Sequence, residues 1–315
     1  MIAVVVPSYR VRAHVLEVLA GIGAEVDRIY VVDDACPDQS GKLVEQSSKD
    51  PRVRVLYHES NQGVGAATMT GYRAAIADGA DVIVKVDGDG QMSPALIPRL
   101  VGPIVAGDAD YVKGNRFYDL RSLSEMPPLR IFGNAALSFF NKISSGYWGL
   151  FDPTNGFTAI HARVAEALPL DRISRRYFFE SDLLFRLNVL RAVVHEIPMD
   201  AHYGSERSSL RIAPAVGEFA LKHWRNALKR VFYNYFLRNF SVASVELVLG
   251  LLLLALGTTV GVVEWSASIA TGRPATSGTV MLAALPVMLG IQFLTAFFAY
   301  DMQDVPRTPI HRQLR

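Results

Sequence analysis

Val82-Ile83-Val84-Lys85-Val86 runs straight into Asp87-Gly88-Asp89-Gly90-Gln91, and this stretch decides how the chain reads. Its first half is short and rich in β-branched residues, as buried strands are. Its second half sets two carboxylates two residues apart between glycines. Glycine lets the backbone turn sharply and lets a ligand approach closely. Paired hard oxygens at such a turn suit Mg²⁺ or Mn²⁺, which bind one or two protein carboxylates and take further ligands from substrate phosphates. An EF-hand loop is excluded, because that pattern needs Asp or Asn at Gln91 and glycine at Met92.

Similar apolar runs stand at residues 2–6, 29–32 and 53–57, with a further strand expected at 111–113. Helical patterns lie between them, around 13–20, 41–48 and 64–77. This alternation predicts an α/β domain with a mainly parallel sheet. Ligands of open α/β sheets bind at the carboxyl ends of the strands. Polar groups follow each predicted strand: Pro7-Ser8-Tyr9, Asp33-Asp34, Asn61-Gln62-Gly63 and the Asp87/Asp89 pair. All are expected on one edge of the sheet.

Half of the 315 residues are hydrophobic, and the formal net charge is only +2, so no basic field points to nucleic acid. The apolar excess is concentrated near the C-terminus. Residues 240–263 carry Glu246 as their one charge, and residues 279–300 carry none. Each segment is long enough to cross a hydrocarbon core of roughly 30 Å as a helix. Lys222, Arg225, Lys229, Arg230 and Arg238 precede the first segment, and Arg307, Arg312 and Arg315 follow the second. Positive-inside bias therefore predicts a two-span protein of the cell membrane with its large N-terminal part and both termini cytoplasmic. Leu221, Trp224, Leu228, Val231, Phe232, Tyr235 and Phe236 fall on one helical face, which reads as a membrane-surface helix. Gly250, Gly257 and Gly261 suggest a homo-oligomer packed through the spans. The single cysteine, Cys36, rules out an intramolecular disulfide and reads as a small buried hydrophobe.

The assembled motifs resemble the family 2 inverting glycosyltransferases of GT-A fold. The pieces are Val5-Val6-Pro7-Ser8-Tyr9, Val31-Val32-Asp33-Asp34, Asn61-Gln62-Gly63-Val64-Gly65 and Val86-Asp87-Gly88-Asp89-Gly90-Gln91. They continue with Gly114-Asn115-Arg116-Phe117, Asp152-Pro153-Thr154-Asn155-Gly156-Phe157 and Phe179-Glu180-Ser181-Asp182. Their order is similar to that of the polyprenyl-phosphate branch, which includes dolichyl-phosphate mannose synthases and bactoprenol glucosyltransferases. A Gln-x-x-Arg-Trp motif is absent after residue 211, which disfavours processive polysaccharide synthesis.

With the apolar and basic patterns above, the expected segments are a GT-A domain at 1–213, an amphipathic interfacial helix at 214–239, two transmembrane helices at 240–302 and a cytoplasmic tail at 303–315. The resemblance implies a nucleotide-sugar pocket of Pro7, Tyr9, Asp34, Asn61, Gly63, Asp87 and Gly88, with Arg207 and Arg211 on a mobile loop. Asp87, Asp89 and Gln91 would hold Mg²⁺ or Mn²⁺, and His202 is a further ligand in some relatives. Arg116 and Arg130 would meet the acceptor phosphate. Asp152 is the candidate base or acceptor-orienting group, with Asp182, Glu180 and Asp87 as other catalytic candidates. The implied reaction moves one hexose from a UDP- or GDP-linked sugar to a polyprenyl phosphate. The alternatives are transfer to a hydroxyl of a lipid-linked glycan, or a non-catalytic nucleotide-sugar-binding membrane subunit.

Overall fold

Four apolar runs become parallel strands: β1 (Ile2–Ser8), β2 (Arg28–Asp33), β3 (Val53–Tyr57) and β4 (Val82–Lys85). Parallel pairing needs crossover connections. These are supplied by α1 (Val15–Ala20), α2 (Ser40–Ser47) and α3 (Val64–Ala77), which return the chain between strands. A computed structural model describes residues 1–118, 128–199 and 212–314, without the side chains of 128–132, 134 and 212–216. Among these residues the sheet has seven strands in the order β3-β2-β1-β4-β6-β5-β7, where β5 is Tyr111–Asn115, β6 is Thr158–His161 and β7 is Val194–Pro198. Only β6 runs antiparallel to its neighbours, β4 and β5.

The strand order reverses between β1 and β4, where connections lead off in opposite directions. That switch point opens a crevice at the carboxyl ends of the two strands. The Pro7-Ser8-Tyr9 and Asp87-to-Gln91 stretches both leave the sheet there. Val4, Val6, Ile29, Val31, Val82 and Val84 form one buried layer with α4 (Ile97–Val105). On the other face α3 approaches so closely that a Cβ on Gly71 would lie 2.2 Å from Cγ1 of Val5.

β6 and β7 lie outside the strands expected from the sequence. β6 is a four-residue strand with polar ends, and β7 is a partly buried edge strand closed by Pro198. Neither carries the apolar run or strict alternation that marks a strand in sequence. Beyond β5 come α5 (Pro128–Ser145), α6 (Ala162–Ala167), α7 (Phe179–Leu190) and α8 (Ile212–Phe232).

The chain forms two compact units, one of Met1–Arg230 with Pro306–Arg315 and one of Val231–Val305. The last residues thus belong to the sheet unit. Fully buried Asp110 accepts the backbone N–H groups of Ile310 and His311 at 2.9 Å each and that of Val193 at 2.7 Å. It also pairs with Nδ1 of His311 at 2.7 Å, while the His311 ring stacks on His161.

The second unit holds α9 (Val242–Thr271) and α10 (Ser277–Gln303), with mean hydropathies of 2.2 and 2.0; each is long and apolar enough to cross a bilayer. Small residues let the two backbones approach. A Cβ on Gly257 would meet the Ala283 carbonyl at 2.6 Å, and one on Gly250 would meet Leu294 at 3.0 Å. Gly261 also faces Ala283. Gly250 and Gly257 are therefore packed inside the hairpin.

Gly71→Ala should drive its methyl into Val5 and destabilise the sheet unit by about 1–3 kcal/mol, the usual cost of overpacking. Urea unfolding of the variant, followed by circular dichroism, checks this.

Candidate active site

The carboxyl end of β2 divides its two aspartates between different tasks. Asp33 turns inward and accepts the N–H groups of Cys36 and Gly41, both at 2.7 Å, which fixes the entry to α2. Asp34, 2% exposed, accepts the N–H of Gln62 at 2.8 Å and of Gly63 at 2.7 Å, and pairs with His58 Nδ1 at 2.7 Å. Asn61 donates back to the Asp34 carbonyl at 3.3 Å. Asp34 thus draws Asn61, Gln62 and Gly63 to the crevice. Gly63 is required there, because its φ is +99° and a Cβ would lie 2.6 Å from the Arg175 carbonyl.

Pro7 is buried at the end of β1, while Tyr9 is 41% exposed with Arg10 over its ring. Between them the buried Ser8 hydroxyl has no hydrogen-bond partner among the described residues.

After β4, Gly88 is buried against Val6 and Val11, and Gly90 takes a φ of +77°. The turn leaves Asp87 and Asp89 partly exposed, with the Gln91 N–H donating to Asp89 at 3.0 Å. Among the described residues no group of three or more His, Cys, Asp or Glu gathers around a metal position. The two carboxylates still fit a hard divalent cation whose remaining ligands come from outside the chain. One Asp87 oxygen already meets a cation of the protein: Nζ of Lys85 lies 2.6 Å from Oδ1.

Arg116 follows β5 and grips Asp152. Its Nε and Nη2 donate to the two carboxylate oxygens at 2.8 and 2.9 Å, and its backbone N–H adds a bond of 3.2 Å. Such a fork fixes the guanidinium plane. Asp152 is fully buried, and its own N–H donates to Glu196 at 2.8 Å. Glu196 is pushed up by burial, with the N–H groups of Phe151 and Asp152 pulling the other way.

Asp182 stands elsewhere. It accepts from Ser174 N–H at 2.9 Å and Asn226 at 3.1 Å, and pairs with Arg186 at 3.3 Å. Those bonds join α7, the preceding loop and α8, so the carboxylate serves the fold. Glu180, two residues earlier, lies 3.9 Å from Lys85. Burial raises its pKa to about 7 against the opposing pull of Lys85. Arg207, Arg211, Arg121 and His202 lie outside the described residues, as does the side chain of Arg130 on α5.

The sequence reading missed Lys85, Lys113 and Glu196. Lys113, fully buried, donates to the carbonyls of Pro153 at 2.8 Å and Asn155 at 3.2 Å. Burial lowers its pKa to about 8, with Asp152 and Glu196 opposing. The available signal was a lysine inside an otherwise apolar strand, since a buried charge needs partners.

Because Glu180 holds its proton up to about 7 when folded but to 4.5 when unfolded, its contribution to stability is complete below pH 4.5 and is lost as pH rises through 7. Glu180→Gln should flatten that fall. Urea midpoints of both proteins between these pH values test it.

Residues 3–168 match the family model described as glycosyl transferase family 2. An undecaprenyl-phosphate mannosyltransferase of Micrococcus luteus is 34% identical over 173 residues, covering 54% of this chain and 70% of the relative. A UDP-N-acetylglucosamine–dolichyl-phosphate N-acetylglucosaminyltransferase of Methanococcus voltae is 29% identical, covering 64% and 86%. Glucosyl-3-phosphoglycerate synthase of Mycobacterium tuberculosis, solved with Mn²⁺, UDP and phosphoglyceric acid, superposes with a TM-score of 0.54 at 19% identity, over 73% of this chain and 78% of that one. At that identity it bears on the fold alone, and it bears out a GT-A-like sheet domain, which in this chain is followed by two long apolar helices. The names of the sequence relatives support the polyprenyl-phosphate branch, and the chain belongs to glycosyl transferase family 2.

Proposed function

We propose that this glycosyltransferase moves one hexose, with inversion, from a UDP- or GDP-linked sugar to a polyprenyl phosphate at the cytoplasmic face of a membrane. One observation carries the reading most. The Asp87/Asp89 turn and the Arg116–Asp152 fork are tied together, since a Cβ on Gly156 would lie 2.7 Å from Asp87 Oδ2 and Gly156 shares the 152–156 loop with Asp152. A site for a diphosphate donor therefore adjoins a guanidinium suited to a second phosphate. The relatives named for undecaprenyl and dolichyl phosphate support the same acceptor class.

Asp87 and Asp89, with Gln91, would hold a divalent cation, which supplies charge neutralisation for the departing nucleoside diphosphate. GT-A-like structures solved with Mn²⁺ or Mg²⁺ and UDP support this choice of ion. Pro7, Tyr9, Asn61, Gly63 and Gly88 line the donor side, and Asp34 acts there by holding the Asn61–Gly63 turn. The Ser8 hydroxyl is a further donor-side group. Arg116 and Arg130 take the acceptor phosphate, and Arg207 and Arg211 close on the donor.

Asp152 is assigned as the residue that orients Arg116. A phosphate monoester has a second pKa near 6, so its oxygen is ionised at neutral pH and no residue need remove a proton. Asp182 is assigned to the fold rather than to the reaction.

The membrane assignment rests on α8 as well as the two apolar helices. Leu221, Trp224, Leu228 and Phe232 are 69, 63, 54 and 57% exposed, whereas His223, Asn226 and Arg230 are buried. A helix with its apolar stripe outward and polar residues inward suits an apolar surrounding surface. Lys222 and Arg225 flank the stripe and favour anionic headgroups. The proposed organisation is a catalytic domain that residues 306–315 join, an interfacial helix and two spans.

Two measurements test the reading. A screen of nucleotide-sugars with Mn²⁺ and short polyprenyl phosphates, read by mass spectrometry, should yield a glycosylated lipid phosphate. Asp89→Ala should abolish that product while leaving the circular dichroism spectrum unchanged. Near-wild-type turnover by Asp89→Ala in chelator-treated buffer with Mg²⁺ restored removes the metal assignment.

A second prediction separates phosphate from hydroxyl acceptors. Asp152→Asn should cost less than the roughly 10²-fold or more that loss of a general base brings, and raising pH should not restore it. Arg116→Ala should be worse, and its melting temperature must be compared, because stranding the buried Asp152 carboxylate costs about 3–5 kcal/mol. A dead Asp152→Asn beside a mildly affected, folded Arg116→Ala would indicate a hydroxyl acceptor.

A further inference from the structure

Three residues form a row across the sheet beneath the site. Lys85 of β4 is paired with Thr158 of β6, which is paired in turn with Lys113 of β5. Directly paired residues share a face. Both lysine side chains therefore rise on one side, with backbones two strand spacings, or roughly 10 Å, apart. They are 1% and 0% exposed. Neither takes part in the reaction proposed above.

A buried ammonium is costly unless its protons find acceptors. The acceptors here belong to the loops that carry the site. Lys85 meets Asp87 Oδ1 at 2.6 Å and Glu180 at 3.9 Å, and lies 5.2 Å from the centre of the Phe179 ring. Lys113 bonds the Pro153 and Asn155 carbonyls of the 152–156 loop. The two arrangements meet at Gly156, where a Cβ would fall 2.4 Å from Lys85 Nζ and 2.7 Å from Asp87 Oδ2. A side chain at that position would separate the ion pair.

We infer that Lys85 and Lys113 are positioning residues that set the spacing between the Asp87–Gln91 turn and the 152–156 loop. Lys85 fixes the carboxylate on the donor side, and Lys113 fixes the loop that brings Asp152 to Arg116. The division of labour rests on the donor and acceptor assignment under "Proposed function". It also assigns a role to Gly156: it keeps the loop within reach of both lysines.

The test uses the full-length protein in lipid nanodiscs. UDP and GDP are titrated calorimetrically with Mn²⁺, and kinetic constants are measured with a short polyprenyl phosphate. Lys85→Met should weaken binding of the preferred nucleotide by about tenfold or more, as expected for one charge-assisted hydrogen bond. Gly156→Ala should do the same while keeping every charge, and it decides the matter alone if Lys85→Met does not fold. Lys113→Met should leave nucleotide affinity within about twofold and raise the acceptor KM by about tenfold, by the same arithmetic. Hydrogen exchange should quicken at 86–91 in the first two variants and at 152–157 in the third. Wild-type nucleotide affinity in folded Lys85→Met or Gly156→Ala overturns the inference. So does a uniform loss of donor and acceptor constants in both lysine variants, which a merely structural role would give. A wild-type protein that binds neither nucleotide with Mn²⁺ sinks the functional reading itself, and the inference with it.

Discussion

Charge buried at the carboxyl edge of a sheet must be matched within a few ångströms, and this constraint organises the catalytic unit. Lys85, Lys113 and Asp152 are buried there, and Arg116, Glu180 and Glu196 are partly buried beside them. In that setting unpaired ions are expensive and paired ones are rigidly placed. Burial alone would depress Lys85, but Asp87 and Glu180 outweigh it and hold the ammonium above the ordinary lysine range. Lys113 has weaker compensation and falls to about 8. The loops above are thus placed by what the buried charges accept, more than by contacts among themselves.

The antiparallel β6 makes this matching possible. It enters between β4 and β5 and delivers Gly156 and Phe157 to the strand ends from the opposite direction. A purely parallel continuation would have led the chain away from the Asp87 turn. One short strand therefore brings the 152–156 loop to the same sheet edge as the Asp87 turn.

The parts legible in sequence were those governed by local patterns. The runs at 2–6, 29–32, 53–57 and 82–86 became β1 to β4 because Val and Ile suit a sheet covered on both faces. Asp87, Asp89, Arg116 and Asp152 were found because glycine turns and short polar motifs mark them. The partnerships were not legible. Nothing local says that Arg116 closes on Asp152, 36 residues later, or that Asp34 spends its oxygens on Gln62 and Gly63. β7 escaped notice because its pattern alternates too weakly, and the lysine row because register across β6 is set by tertiary pairing. The outward apolar face of α8 was visible as periodicity, but which side faces the domain depended on His223 meeting Ser144 and Asn226 meeting Asp182.

The attachment of the C-terminal residues has a consequence for biosynthesis. Asp110 lies on the sheet unit, yet three of the four hydrogen bonds described for its carboxylate come from Ile310 and His311. Chains fold as they emerge, N-terminal regions first. During translation this carboxylate has to wait through the synthesis of both apolar helices before its partners exist. The earlier-made part of the sheet unit is therefore completed by residues made after both apolar helices, and a ribosome stalled inside the hairpin would leave the Asp110 carboxylate with the Val193 N–H alone of these four bonds.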